Sequence, residues 1–312
     1  MSDGRILWLA SGAFVVLALY AFFFGPPQNY PVGALITIPS GMTVAEAGNL
    51  LENQHAIRMP LVFYAIVRLE GRGVFAGTYL LPAKQNVFTL AYRLSHGITD
   101  VTQLKVTFPE GSTVVQMAKL LKSTFPAFDD KKFISLAKPD EGYLFPDTYF
   151  FTPDVTPEAV VERLKETFQM KIAPLEERIH AFGKSESAVI IMASILEKEG
   201  RQPDTRRTIA GILWKRLSIG MPLQIDVAFA YIFNQDTYEP TLDDLKLKSP
   251  YNTYVHAGLP PGPIGNPGLE TIQDAITPIS TPYLYYVTDK EGNIYYAKTF
   301  AEHVDNKKKA NN

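Results

Sequence analysis

The 312 residues contain no cysteine. That excludes a disulfide framework and suits an exported chain, in which no wrong pairing can form. An excess of one charge is also missing. Thirty bases against 32 acids leave a net charge of −2, without the basic face a nucleic-acid partner would require. Histidine is sparse, and His55, His96, His180, His256 and His303 show no His-x-x-x-His spacing, so neither a metal site nor a cofactor is expected. No Gly-rich phosphate loop occurs, because Gly262 to Gly268 lacks the strand–loop–helix setting and the lysine. Ser194 has no nucleophile-elbow glycines around it. Carboxylate chemistry is what remains.

The residues from Ile6 to Phe24 are apolar or small and carry no charge. At about 1.5 Å per residue they span about 28 Å, the thickness of a bilayer hydrocarbon core. Ala21-Phe22-Phe23-Phe24-Gly25-Pro26-Pro27 is too bulky for a cleavage site, so the stretch reads as a retained signal anchor. Arg5 precedes it and the bulk of the chain follows. The expected outcome is a short cytoplasmic N-terminus, a single pass and an exported remainder. The length beyond the anchor exceeds one typical domain and predicts two.

The chain repeats itself. Ile38-Pro39-Ser40-Gly41-Met42-Thr43-Val44 leads into Ala45 to Leu51. Seventy residues later Phe108-Pro109-Glu110-Gly111-Ser112-Thr113-Val114 leads into Val115 to Leu121. Each copy reads as a strand (Leu35 to Ile38, Leu104 to Phe108), a Pro-x-Gly turn and a helix. Thr43 with Glu46 and Thr113 with Gln116 have capping-box spacing. Gly77-Thr78-Tyr79-Leu80-Leu81, before a helix around Thr89 to Leu94, reads as a weaker relative. Such units resemble the LysM-type module, which binds glycans of N-acetylhexosamines. A plain α+β packing domain fits the same pattern.

The second half carries the candidate chemistry. Glu141-Gly142-Tyr143-Leu144-Phe145-Pro146-Asp147-Thr148-Tyr149-Phe150-Phe151 interleaves aromatic and acidic groups, as a sugar cleft would. A structural loop is the other reading. Helices are expected from Pro157 to Lys171 and from Thr205 to Leu217. Between them, Val189 to Leu196 is an apolar run that ends in Glu197-Lys198-Glu199-Gly200. At 100° per residue Glu199 falls on the stripe of Ala188, Met192, Ile195 and Leu196, while Glu197 lies above Ile190 and Ala193. A carboxyl on an apolar face is desolvated, which raises its pKa toward that of a general acid. A solvated last helical turn is the bland reading of both glutamates. Gly200 is expected to close the helix in a left-handed cap. Gly258 to Gly268 is too rich in Pro and Gly for regular structure and reads as a rigid loop. Tyr283 to Val287 and Tyr295 to Ala297 form a β-hairpin about Gly292.

These motifs resemble, in content and order, the YceG-like endolytic murein (lytic) transglycosylase family: Glu141 to Tyr149, Ala193 to Glu199, Leu223-Gln224-Ile225-Asp226, Tyr251-Asn252-Thr253-Tyr254, Gly258 to Gly268 and the Tyr283 hairpin. The resemblance covers almost the whole chain. It implies an inner-membrane enzyme that cuts the MurNAc–GlcNAc bond inside nascent peptidoglycan strands and leaves anhydro-MurNAc ends, with cell-wall synthases as partners. The family's catalytic glutamate falls on Glu199. Gln224, Asn252 and Tyr254 are assigned to positioning substrate or to oxyanion-type hydrogen bonding, Glu197 to supporting the site, and Glu141 to a supporting or substrate-binding role. Asp226 and Asp147 are the motif acids open to a second role. Ile225 stands where relatives have a small hydroxyl residue, and Val304 where they often have Asn. A lysozyme-like hydrolase using Asp226, or a non-catalytic glycan-binding scaffold, are the competing readings. The expected organisation is α+β: stub and transmembrane helix 1–25, linker 26–33, LysM-like domain 34–125, catalytic domain 126–304 with a glutamate-bearing helix, and a disordered basic tail 305–312.

Overall fold

A computed structural model describes residues 3–101, 103–200 and 202–310, with residues 3–11 and 13 described by their backbone alone. The chain divides into two compact units, Met1–Gln103 and Leu104–Asn312.

The first unit opens with helix α1 (Asp3–Phe24). Among the described residues no single helix is long and apolar enough to cross a membrane; the apolar part of α1 described with side chains is Phe14–Phe24. The other side chains of the expected span lie outside the described residues. Residues 26–33 are not a free linker. Phe24 stacks on Phe88 at 5.1 Å, Arg58 donates to the Pro26 carbonyl at 3.0 Å, and Tyr30 is buried in the core. Gly33 N–H donates to Leu81 O at 2.7 Å.

Strand β1 (Leu35–Ile38) is followed by α2 (Val44–Asn53), α3 (Pro60–Leu69), β2 (Gly77–Leu80) and α4 (Val87–His96). β1 and β2 pair antiparallel with Thr37 opposite Thr78. The second unit begins with the same order: β3 (Leu104–Thr107), α5 (Val114–Thr124), α6 (Asp130–Ala137), β4 (Thr148–Phe151) and α7 (Pro157–Ile172). β3 and β4 pair with Thr107 opposite Thr148. Both capping boxes form, at Thr43/Glu46 and Thr113/Gln116. The repeat is therefore longer than the strand–turn–helix expected. Gly77 to Leu81 is not a third copy but the closing strand of the first, and its counterpart is Asp147 to Phe151. The core positions agree at the same spacing of seventy: Ile36 with Val106, Leu51 with Leu121, Phe63 with Phe133, Tyr79 with Tyr149 and Leu94 with Leu164 are all buried. The expected boundary at 125/126 falls between the paired strands β3 and β4, whereas the two compact units divide between the copies.

The second unit then adds α8 (Glu176–Phe182), α9 (Glu186–Glu199), α10 (Pro203–Ser218), α11 (Val227–Ile232), α12 (Leu269–Ala275), the hairpin β5 (Tyr285–Thr288) with β6 (Ile294–Ala297), and α13 (Phe300–Ala310). α9 is the axis of this region. Val189 to Leu196 are all buried, among Phe168, Ile179, Ile209, Leu213, Ile264 and Ile272. A helix apolar on every side must be enclosed, and each fully buried Val, Ile, Leu or Met side chain contributes roughly 1.5–3 kcal/mol. The expected tail 305–312 is helical through Ala310. Glu302 accepts from the N–H of Lys298 at 2.8 Å, its own N–H donates to Thr299 Oγ1 at 3.2 Å, and the three lysines occupy the last turn, where the helix dipole favours cations.

Candidate active site

α9 ends at Glu199, and Gly200 follows in extended backbone (φ −137°, ψ 132°) rather than the expected left-handed cap. Glycine is needed there for a different reason. A Cβ at position 200 would lie 2.9 Å from Arg206 Cγ and 3.2 Å from Thr205 Cγ2, so the side chain is missing to admit α10.

The two glutamates have different fates. Glu197 Oε2 accepts from the Gly268 N–H at 2.8 Å, which ties α9 to the Pro/Gly loop. Glu199 opens instead onto a cleft of 490 Å³ lined also by Arg216, Gln224, Asp226, Tyr254, Tyr285, Tyr286, His303 and Lys307. It lines a second cleft of 430 Å³ with Gln202, Thr205, Asp289 and Lys290; Thr288 also belongs to both. Burial pushes the Glu199 carboxyl up to about 7 from 4.5. The Tyr286 hydroxyl, bonding to its charged form, opposes the rise, and the nearby Asp226 charge adds to it. Tyr286 itself is held well above its ordinary range by burial and by the charge of Glu199. Since all of Val189 to Leu196 is enclosed, no single apolar stripe separates the two glutamates. The hairpin above Glu199 and the loop beside Glu197 do.

The walls are fixed from behind. Arg216 is buried, and its Nε donates to Leu284 O at 2.6 Å while Nη1 donates to Leu223 O at 2.6 Å. One guanidinium thus braces the hairpin against the 223–226 segment. Gln224 has φ +52°, a strained region for a residue with a Cβ. It is held there by its N–H to Thr253 O at 3.2 Å and by Ile225 N–H to Thr253 Oγ1 at 2.8 Å. This presents Gln224 and Asp226 at the cleft. The Tyr254 hydroxyl donates to Asp226 Oδ1 at 2.5 Å, and burial raises the Tyr254 pKa.

Glu199, Gln224, Asp226 and Tyr254 are therefore brought together at one cleft, Glu197 lines the second cleft beside Glu199, and three expected site residues lie elsewhere. Asn252 is fully buried. Its Nδ2 donates to Leu245 O and Leu247 O at 3.1 and 2.9 Å, and its Oδ1 accepts from Tyr254 N–H, so it shapes the loop rather than touching the cleft. Glu141 is buried and accepts from Val114 N–H at 2.8 Å, at the start of α5, and from Asn266 Nδ2 at 3.2 Å. Asp147 accepts from Thr148 N–H at 2.7 Å and faces Lys171 at 3.7 Å. Glu197 clamps the loop. In the aromatic segment from 143 to 151, Leu144, Phe145, Tyr149 and Phe151 are buried in the core, while Phe150 is exposed. Ile225 likewise points into the core, so it leaves the cleft's polar lining unaltered; Val304 does line the cleft.

Three groups were not anticipated from sequence. Tyr286 could not be found locally. Arg216 could have been, as an arginine on the Ile209/Ile212/Leu213 face of its helix. The α13 face follows from the Thr299-x-x-Glu302 capping signal.

Fold and cleft define an α+β protein with one proton-retaining carboxyl at the junction of two clefts, a site suited to acid–base work on an extended substrate. The chain belongs to the YceG-like family, whose pattern matches residues 36–309. It is 30% identical over 93% of its length to an endolytic murein transglycosylase of Bacillus subtilis, covering 89% of that protein. It is also 30% identical over 87% of its length to an endolytic murein transglycosylase of Streptococcus pneumoniae, of which it covers 58%. The crystal structure of a YceG-like protein from Listeria monocytogenes matches with a TM-score of 0.61 at 29% identity, covering 87% of this chain and 98% of that one.

Proposed function

We propose that the protein is an endolytic peptidoglycan lytic transglycosylase with Glu199 as its acid and base. The observation that carries this reading is the half-buried Glu199 carboxyl, held near 7 where two clefts meet. A strand crossing both clefts would be cut from within. Protonated Glu199 donates to the glycosidic oxygen as the bond to the anomeric carbon breaks. Its carboxylate then takes the proton of the C6 hydroxyl of MurNAc, whose oxygen closes on the anomeric carbon to give the anhydro end. The intramolecular attacker replaces the second carboxylate that a hydrolase requires. Asp226, bonded to Tyr254, positions the sugar. It is also the residue a hydrolase reading would use, since it lines the same cleft.

On this reading α1 anchors the chain in the cytoplasmic membrane, the remainder is extracytoplasmic, and the cell-wall synthases that make nascent strands are its neighbours. The βααβ order of the first unit supports a LysM-like role in gripping glycan. Purified glycan strands digested with the protein should yield anhydro-MurNAc ends by mass spectrometry. Glu199→Gln should abolish turnover while Glu197→Gln, which loosens the Gly268 clamp, lowers it only partly. Reducing MurNAc ends would move the assignment to a hydrolase and make Asp226 the next residue to replace. No turnover of any strand would leave a binding protein.

A further inference from the structure

One wall of the Glu199 cleft comes from α13. Phe300, His303, Val304 and Lys307 recur at i, i+3, i+4 and i+7, one face of a helix, and all four line the cleft. The His303 ring stacks on Tyr285 at 5.3 Å, and the Arg216 guanidinium lies 5.0 Å from that same tyrosine. Asn306 Nδ2 donates to Tyr296 O at 3.2 Å and fastens the helix to the hairpin. Two polar groups of this wall lack a partner among the described residues. Among the described residues His303 Nδ1 is buried without a hydrogen-bond partner, which costs stability unless a ligand or a function accounts for it. Lys307 has no carboxylate partner among the described residues, although its neighbour Lys308 pairs with Asp305 at 3.2 Å. Burial, together with the charges of Lys307 and Arg216, pushes the His303 pKa down, which favours the uncharged ring. The wall thus offers an apolar step, an imidazole and one ammonium without a carboxylate partner among the described residues, opposite two acids.

A glycan of N-acetylhexosamines is uncharged. MurNAc differs by its lactyl arm, which carries a methyl group and a carboxyl group, free or extended into a peptide that bears carboxylates of its own. We propose that the α13 face reads this arm: Phe300 and Val304 receive its methyl, His303 bonds its acyl oxygen, and Lys307 pairs with the carboxylate. The proposal rests on the transglycosylase reading and makes His303 and Lys307 positioning residues that select muramyl strands.

The test uses full-length Glu199→Gln protein in detergent micelles, with binding measured to peptide-free glycan strands, to peptide-bearing strands and to chito-oligosaccharides, which lack the arm. Adding Lys307→Gln should weaken muramyl binding roughly fivefold, the scale of a partly exposed ion pair, and Lys307→Arg should restore it. Chito-oligosaccharide affinity should not change, and a parent that fails to bind chito-oligosaccharide supports the same selectivity. A loss seen with peptide-free strands assigns the lactyl carboxylate, and a loss confined to peptide-bearing strands assigns the peptide's. His303→Phe keeps the stack on Tyr285 and removes the unpartnered nitrogen. It should weaken muramyl binding about threefold while Tm holds or rises. Equal losses on both glycans, or none on either, would overturn the proposal and leave the transglycosylase reading standing. Failure of the parent to bind any muramyl strand would remove both.

Discussion

The two copies of the βααβα unit share a plan and differ in what their turns touch. Gly41 and Gly111 occupy the same turn with φ +82° and +75°. Around Gly41 a Cβ would meet nothing within 4 Å, whereas at Gly111 it would lie 3.0 Å from Glu197 Cγ and 3.2 Å from Lys198 Cε. The second turn is joined to the Pro/Gly loop as well. Gly111 N–H donates to Asn266 O at 2.7 Å and Asn266 N–H to Ser112 O at 3.0 Å. The Asn266 side chain accepts from Gly142 and Leu144 N–H at 2.8 and 3.0 Å. One copy of a duplicated module has thus become a brace behind the end of α9, two residues from Glu199, while the turn of the other stays open.

The largest effect should come from cutting that brace. Asn266→Ala leaves two buried N–H groups unpaired, at about 1–3 kcal/mol each, so urea unfolding should show a loss of about 3–5 kcal/mol. A loss under about 1 kcal/mol would mean the brace is dispensable. The paired glycine test comes next. Gly41→Ala and Gly111→Ala carry the same left-handed strain, about 1 kcal/mol, but only Gly111→Ala presses on Glu197. Turnover on glycan strands should fall roughly tenfold for Gly111→Ala and stay within about twofold for Gly41→Ala. Equal losses would erase the distinction between the copies. The smallest effect should be symmetric. The hydroxyl pairs Thr37–Thr78 at 3.0 Å and Thr107–Thr148 at 2.9 Å are equivalent and exposed, so Thr37→Val and Thr107→Val should each change stability by about 0.5 kcal/mol.

The first half of each copy is legible in the sequence because its turn imposes residue types: proline before, glycine at positive φ, threonine as N-cap. The second half is not. There the identities are scattered, as at Phe63/Phe133, Thr78-Tyr79/Thr148-Tyr149 and Arg93-Leu94/Arg163-Leu164, and other positions keep burial while changing residue, as Leu90 and Val160 do. Glu199 was legible because a charge ending an apolar run is a local anomaly. Asn252, Glu141 and Asn266 belong to equally distinctive motifs, yet they satisfy buried backbone groups, and a motif does not reveal whether its polar atom faces a ligand or a carbonyl. The clustering of Tyr286, Arg216 and α13 around Glu199 depends on tertiary contacts. The Lys307-Lys308-Lys309 run also hid a helix whose cap was in view.

The proposed chemistry requires Glu199 to keep its proton. Its carboxyl is held near 7 against 4.5 for an ordinary glutamate, so the folded chain binds that proton more tightly than the unfolded one. The resulting stability is fully present below about 4.5 and is lost as pH rises through about 7, and turnover that needs the acid form should fall over the same upper range. The direct measurement is a carboxyl carbon NMR titration of the glutamate-labelled protein, with Glu199 assigned by its absence in Glu199→Gln. One glutamate, Glu199, should titrate near 7, together with a falling limb of kcat/KM at the same pH. A Glu199 signal titrating near 4.5 would contradict the proposed chemistry.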